Sequence, residues 1–466
     1  MSHSKPEQLR FHAIDGITVR GDFEGGALSS DFGTILLRET ENQIGLIGRL
    51  TGAIKDRRHP SYIEHSMNDL LTQRIFQVAC GYEDANDSNT LRHDPMFKLG
   101  AGHRPLDVDQ DLAHASTFTR LGQALSRTDI YRIAQSFLEH FVSSYATPPE
   151  VIVLDLDHTD HLVYGQQELA LFNTHYGDDC YLPLLIFEGL SGRLISAVLR
   201  PGKTPDGHEN TAILKRVLAG LRQHWPDTHI IVRGDTGFAQ PALMREVQAD
   251  PHADFIFGLG AGHPKTLRPK AAAWLDEARQ SLNEGTALAK ANNHSGPERV
   301  RLYGEVDYRA GTWDGIECRV CCKAEVNRLG DNPRFVVTSI TNANPETVYR
   351  DLYCARGQDE NYIKQLKNDL VGDRMSEQGF VGNHLRLFYA CAAYELMHAL
   401  RINTLQGTTL ERAQPATLRH KLFKLAVRVV QHKDRIKLHL PTGCPMAGLL
   451  SRVTEMFYRT PRLKPG

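Results

Sequence analysis

Apolar residues fall at helical spacing through the first third of the chain and then gather into strand-like runs. In "IEHSMNDLLTQRIFQVACGY" and "DIYRIAQSFLEHFVSSY" they recur every three or four positions, which predicts a mostly helical region over residues 1–148. "TPPE" at 147–150 punctuates its end. The pattern then predicts the strands "VIVLDLD", "YLPLLIFEGL" and "RLISAVLR", the helix "ENTAILKRVLAGLRQHW", and the further strands "HIIVRGD" and "DFIFGLG". Three strands, a helix and two more strands describe an α/β domain with a mixed sheet over 149–262.

From 263 to 332 the composition turns polar, with glycines and the short alternating runs "RVRLYGEVDYRA" and "GIECRVCCKAEV", and a β-rich insertion is expected. "RFVVTSIT" then reads as a strand, and "PETVYRDLYCARGQDENYIKQLKNDL" as a long helix opened by Pro345. The α/β domain is thus interrupted and resumed, its second part spanning 333–405. A C-terminal segment, 406–466, follows, with "RHKLFKLAVRVVQHKDRIK" expected as a basic helix.

Composition changes this picture in three places. No apolar run approaches the roughly 18 residues of a membrane span, and "MSHSKPEQLRFHAIDG" has no apolar signal core, so a cytoplasmic protein is expected. The 8 cysteines are too sparse for a disulfide scaffold. Cys318-x-x-Cys321 lacks a matching second pair, so it reads as alternate positions of a buried strand, not as a zinc site. Net charge is −1, yet residues 411–466 hold 12 Lys or Arg against 3 acids, a local balance of +9 (12 − 3). That asymmetry fits local contact with a polyanion, with Lys421, Lys424, Arg428 and the N-terminal "KDRRHP" as candidates.

The candidate chemistry begins with acids at strand ends. Asp157 closes the first strand and Asp235 closes "HIIVRGD"; groups at the carboxyl ends of neighbouring strands in an α/β sheet meet in one crevice. Either aspartate alone reads equally well as a turn cap. On the long helix Tyr353, Arg356, Glu360, Lys364 and Lys367 are spaced by three, four, four and three, so they share one face. A solvated face with i,i+4 ion pairs is the plain alternative. An aromatic, an arginine, a carboxylate and lysines also suit a site that grips DNA phosphates beside a metal ligand.

With these residues in place the chain resembles a known family. Tyr353, Arg356, Glu360 and Lys367 reproduce the Y-R-E-K signature of DDE transposases of bacterial insertion sequences, and "LDLDHTDHLVYGQQE", "IIVRGDTGFAQPALM" and "VACGYEDANDSNTLRHDP" are similar to further blocks of one subgroup. The resemblance implies an RNase H-like core split by a β-rich insertion between the second aspartate and the glutamate. It implies Asp157, Asp235 and Glu360 as catalytic, metal-binding acids, two Mg2+ ions with Mn2+ able to substitute, and DNA contacts from Tyr353, Arg356, Lys364 and Lys367. The partners it implies are double-stranded DNA, both terminal inverted repeats and target, and a second copy of the chain when ends are paired, with no membrane. The activity implied is strand cleavage at element ends followed by strand transfer.

Two alternatives stay open. A haloacid-dehalogenase-like phosphatase would use Asp155 as nucleophile and Asp157 as acid/base. An inactive DNA-binding relic would share the scaffold. His158 and His161 follow a strand and read as satisfied polar groups; Trp313, which in hairpin-forming relatives would stack a flipped base, reads as core packing.

Overall fold

The computed structural model describes residues 8–203, 207–260 and 264–459. The chain forms two units: Ser126–Lys367 with Asp373–Phe388, and Met1–Leu125 with Asn368–Gly372 and Tyr389–Gly466.

The first of these is built on a large mixed sheet. Its strand order is Leu194–Val198, Leu184–Glu188, Val151–His158, His229–Gly234, Ala253–Gly258, Arg334–Thr338, Arg319–Asn327, Arg299–Val306. Val151–His158, His229–Gly234 and Ala253–Gly258 run parallel; their flanking neighbours are antiparallel. The parallel strands read as continuous apolar runs because both their faces are covered. Ile152, Leu154 and Leu156 enter one core with Ile230, Val232, Phe255 and Phe257. The helix Gly207–His224 seals it with Leu214, Val217, Leu218 and Leu221, an i, i+3, i+4, i+7 stripe. Each such side chain, fully buried, contributes roughly 1.5–3 kcal/mol.

The expected β-rich insertion is different in kind. It starts with helices Pro264–Lys270 and Ala272–Ala291, and its strands Arg299–Val306 and Arg319–Asn327 extend the core sheet. Alanine-rich "AAAWLDEARQSLNEGTALAKA" favours helix. Leu275 and Ala278 are buried against the core, and Trp274 lies so close to Gly304 that a Cβ there would meet the indole at 2.2 Å. Cys321 and Cys322 are buried, alternating strand residues, and all cysteines of the described residues are free.

The helical region expected over 1–148 ends earlier as a unit. Helix Arg127–Ser143 belongs with the sheet, since Leu138 and Phe141 are buried in its core and Phe141 meets Trp225 edge-on at 5.6 Å. The other unit also opens with a hairpin, Leu9–Ile14 and Ile17–Gly21, turned by Asp15 and Gly16 at positive φ. Helices Gly33–Ile44, Leu46–Ala53 and Met67–Ala79 follow.

The run expected as a basic helix near the C-terminus, 419–437, is helical only over Arg419–Phe423 and then gives way to strand. After a wide turn at Arg419–Phe423, Val427–Gln431 pairs with Ile436–His439 and with Leu28–Ser29. Val427 and Val429 are buried and Arg428 is exposed, so the period is two and β-branched residues fill the inner face. Among the described residues no helix is long and apolar enough to cross a membrane.

Candidate active site

Parallel pairing places the two aspartates. Leu156 is the partner of Gly234, so the next residues, Asp157 and Asp235, leave adjacent strands side by side. Asp235 also caps the turn after its strand, Oδ1 accepting from Gly237 N at 2.8 Å. Burial pushes the Asp157 carboxyl up to about 6; Arg356 opposes that rise and Asp235, as a like charge, adds to it. Asp157 and Asp235 therefore share one field.

The helical run from Pro345 to Asp369 supplies the rest. Its winding changes along its length: wide turns at Thr347–Tyr353 and Gln365–Asp369, a tight stretch at Cys354–Gln358, and α-helix at Asp359–Lys364. Such departures change which residues share a face. Arg356 donates Nη1 to Asp157 Oδ2 at 3.1 Å, with both side chains mostly buried. Burial works against the guanidinium charge, but Asp157, Tyr353 and Asp235 together outweigh it and hold the Arg356 pKa above its ordinary value. Tyr353 lies under the same influence: burial raises its hydroxyl pKa, Arg356 lowers it and Asp235 raises it. Gly258 makes room for that hydroxyl, since a Cβ there would lie 2.5 Å from it. Lys367 donates to the Asp160 carbonyl at 2.7 Å and to its carboxylate at 3.0 Å.

Glu360 and Lys364 stand apart from this group. Glu360 is 57% exposed and pairs at 3.9 Å with Lys364, itself 65% exposed. The residue before it is the buried one. Asp359 has no exposed surface, and among the described residues neither of its oxygens has a hydrogen-bond partner. Burial first, then Asp155 and Asp157, hold its pKa well above the usual carboxylate range. The structure thus brings together Asp157, Asp235, Arg356 and Tyr353, sets Lys367 on Asp160, and leaves Glu360 and Lys364 on an open face. Among the described residues no group of three His, Cys, Asp or Glu is positioned to hold a metal ion. As donors, Asp157 and Asp235 are the hard oxygen ligands that magnesium takes, and Arg356 supplies the positive charge beside Asp157.

Asp155 sits one strand step behind, fully buried. Arg233 grips it with two hydrogen bonds of 2.6 Å each, Nε to Oδ1 and Nη2 to Oδ2. Both carboxylate oxygens are engaged, so this group offers no nucleophile. Sequence reasoning missed Arg233 and Tyr176, whose hydroxyl is pushed up to about 12 by burial and by Asp160, Asp157 and Asp235; helical spacing from Leu352 to Leu370 does place Asp359 on the apolar side, where it is buried. Of the missed pair, only Arg233 left a signal, a charge inside an apolar strand.

His158 has the polar and aromatic partners expected of it, whereas neither ring nitrogen of His161 has a hydrogen-bond partner among the described residues. His158 packs on Phe238 at 4.4 Å and reaches Asn210 at 3.4 Å; burial brings its pKa down to about 3. His161 is fully buried. Trp313 is 2% exposed and meets Tyr308 edge-on, so it packs in the core.

A family model described as transposase DDE domain, group 1, matches residues 11–462. No curated protein matches the chain. Among solved structures the chain is similar to a piggyBac transposase in a synaptic complex with hairpin DNA, determined by cryo-EM, at 11% identity and a TM-score of 0.39 over 94% of this chain and 87% of that one.

Proposed function

We propose that this chain, which belongs to the transposase family with a DDE domain of group 1, cuts DNA at the ends of a mobile element and joins those ends to target DNA. One observation carries the reading: Asp157 and Asp235 leave adjacent parallel strands together, and Arg356, from a helix far along the chain, bonds to Asp157. The mixed sheet with acids at its parallel strand ends also supports the RNase H-like description. In this reading the region up to Leu125 recognises the element ends, Ser126–Lys367 with Asp373–Phe388 forms the catalytic unit, with the strands of the 263–332 insertion joined to its sheet, and 406–466 adds basic contacts.

Asp157 and Asp235 are the residues that would hold Mg2+ or Mn2+, and Glu360 joins them as third ligand only when the helix turns it inward from the open face it occupies here. When bound, such ions activate the attacking water or 3′ hydroxyl and stabilise the departing oxygen. The chain's own residues orient the DNA. Arg356 offers a planar fork to a phosphate beside the scissile bond. Lys367 adds an ammonium from the neighbouring turn, Lys364 an outer contact, and Tyr353 a hydroxyl. Partial burial strengthens each contact relative to open water. The substrates are inverted-repeat ends and target duplex, with two copies of the chain pairing two ends inside the cell.

The phosphatase alternative is disfavoured by one observation, the capture of both Asp155 oxygens by Arg233. The test is magnesium-dependent nicking of a labelled end duplex. Asp157→Asn, Asp235→Asn and Glu360→Gln should each abolish nicking and leave end binding largely intact. A fully active Glu360→Gln protein would remove the third carboxylate from the set.

A further inference from the structure

We propose that Arg233 is a positioning residue: it sets the rotation of the helix that carries Tyr353 and Arg356, and so fixes where Arg356 meets the phosphate. The inference rests on the proposed DNA-cutting function for its consequence, but its geometry is independent of that reading.

Arg233 joins three elements. It lies on the strand His229–Gly234, directly across from Asp155 on Val151–His158, and the bidentate pair leaves one guanidinium nitrogen to reach onward. That nitrogen, Nη1, donates to the Leu352 carbonyl at 2.6 Å. Leu352 lies in the wide Thr347–Tyr353 turn, immediately before Tyr353 and one turn before Arg356. The pair has little space to shift: a Cβ on Gly189 would meet Arg233 Nη2 and Asp155 Oδ2 at 2.4 Å each. The arginine side chain is 3% exposed and the aspartate 0%. A rigid fork on a rigid sheet therefore holds one carbonyl of the helix at a set place.

The tether differs from other polar ties of the helix. Arg356 to Asp157 and Lys367 to Asp160 are made by groups that would have to meet DNA, so substrate competes for them. The Arg233–Asp155 pair is buried, the arginine 3% exposed against 13% for Arg356 and 19% for Lys367, and its part-buried bond to the Leu352 carbonyl uses no group that has to meet DNA. It persists when those ties are exchanged, and the helix pivots on it instead of sliding. Asp359, buried near the same pair with no hydrogen-bond partner among the described residues, gives the helix no competing anchor.

The test uses the full chain and Arg233→Lys, which keeps a positive charge for Asp155 but lacks the planar fork. Two readouts are needed. Amide hydrogen exchange should accelerate at least tenfold over residues 350–360 and stay unchanged over 253–258. Nicking at saturating end DNA should fall about 10- to 100-fold with little change in the DNA concentration for half-maximal rate, and the loss should largely vanish in an Arg356→Ala background, because both changes disable the same grip on the phosphate. Additive losses in the double variant, or unchanged exchange over 350–360, would overturn the proposal. If the wild-type chain does not nick, the function reading fails while the exchange experiment still decides the positioning claim. Should Arg233→Lys not fold, Asp155→Asn, which loosens the fork from the other side, is expected to accelerate exchange over the same residues; no acceleration would sink the proposal.

Discussion

Arg356 and Asp157, 199 residues apart in sequence, are joined by a 3.1 Å hydrogen bond between two largely buried side chains. The guanidinium is the nearest counter-charge to an acid that burial has already lifted to about 6. Arg356→Ala should lower nicking by about 10²-fold, the order found when one donor to a developing charge is removed. It should also move Asp157 ionisation in the metal-free protein further above 6, because the group that favours its charged form is gone. Carboxyl NMR titration checks the second part, and an unmoved resonance would separate the two residues.

Asp359 makes the opposite kind of prediction, about stability. A carboxyl with no exposed surface and, among the described residues, no hydrogen-bond partner is costly to ionise. Its folded-state pKa lies above the unfolded value, so its contribution to stability is present at low pH and lost as pH rises through the folded value. Asp359→Asn should therefore gain on the wild type as pH rises, by about 1–3 kcal/mol at pH 8, read from urea midpoints across pH. A gain that is constant with pH would point to packing instead.

His161 should act at the acid end. Burial, with Lys367 nearby, brings its pKa down to about 3, and both ring nitrogens are without a hydrogen-bond partner among the described residues. A depressed pKa gives stability that is present above the unfolded value near 6.5 and lost as pH falls towards the folded one. From pH 7 to 4 the loss should be about 3 kcal/mol. His161→Leu should flatten that part of the profile; an unchanged acid limb would assign it to other groups.

Basic residues of the C-terminal segment should divide into two classes. Lys424 is engaged internally, donating to buried Asp31 at 2.6 Å and lying 3.8 Å from the Tyr82 ring centroid. Lys424→Ala should destabilise the fold by about 1–3 kcal/mol, because buried Asp31 loses its counter-charge but keeps hydrogen bonds from Ser30 and Tyr82. Lys421 and Arg428 are exposed. Neutralising both should reduce the log-log salt slope of end binding by about 0.9 for each phosphate they had neutralised. An unchanged slope would take these two off the DNA surface.

Much of this protein is set by local pattern. The apolar runs 152–154 and 184–187, Ile230 and Val232, and the 3.6-period stripe of Leu214, Val217, Leu218 and Leu221 are buried in the structure as their spacing requires, because burying a contiguous face is the largest favourable term available to each segment. The acids at strand ends follow from the same pattern, since Asp157 and Asp235 stand where an apolar run stops. Tertiary structure decided the rest. Alternating Val427 and Val429 take strand pairing in place of the expected helix because Ser29 and Leu28 offer an edge far away in sequence. Asp155 becomes a strut because Arg233 lies across the sheet; helical spacing already sets Asp359 on the apolar side and Glu360 with the basic residues, but it does not show that Glu360 would stand apart from Asp157 and Asp235. Periodicity records which face of an element is apolar; which charge meets which is set by register and rotation between elements, and those depend on packing spread over the whole chain.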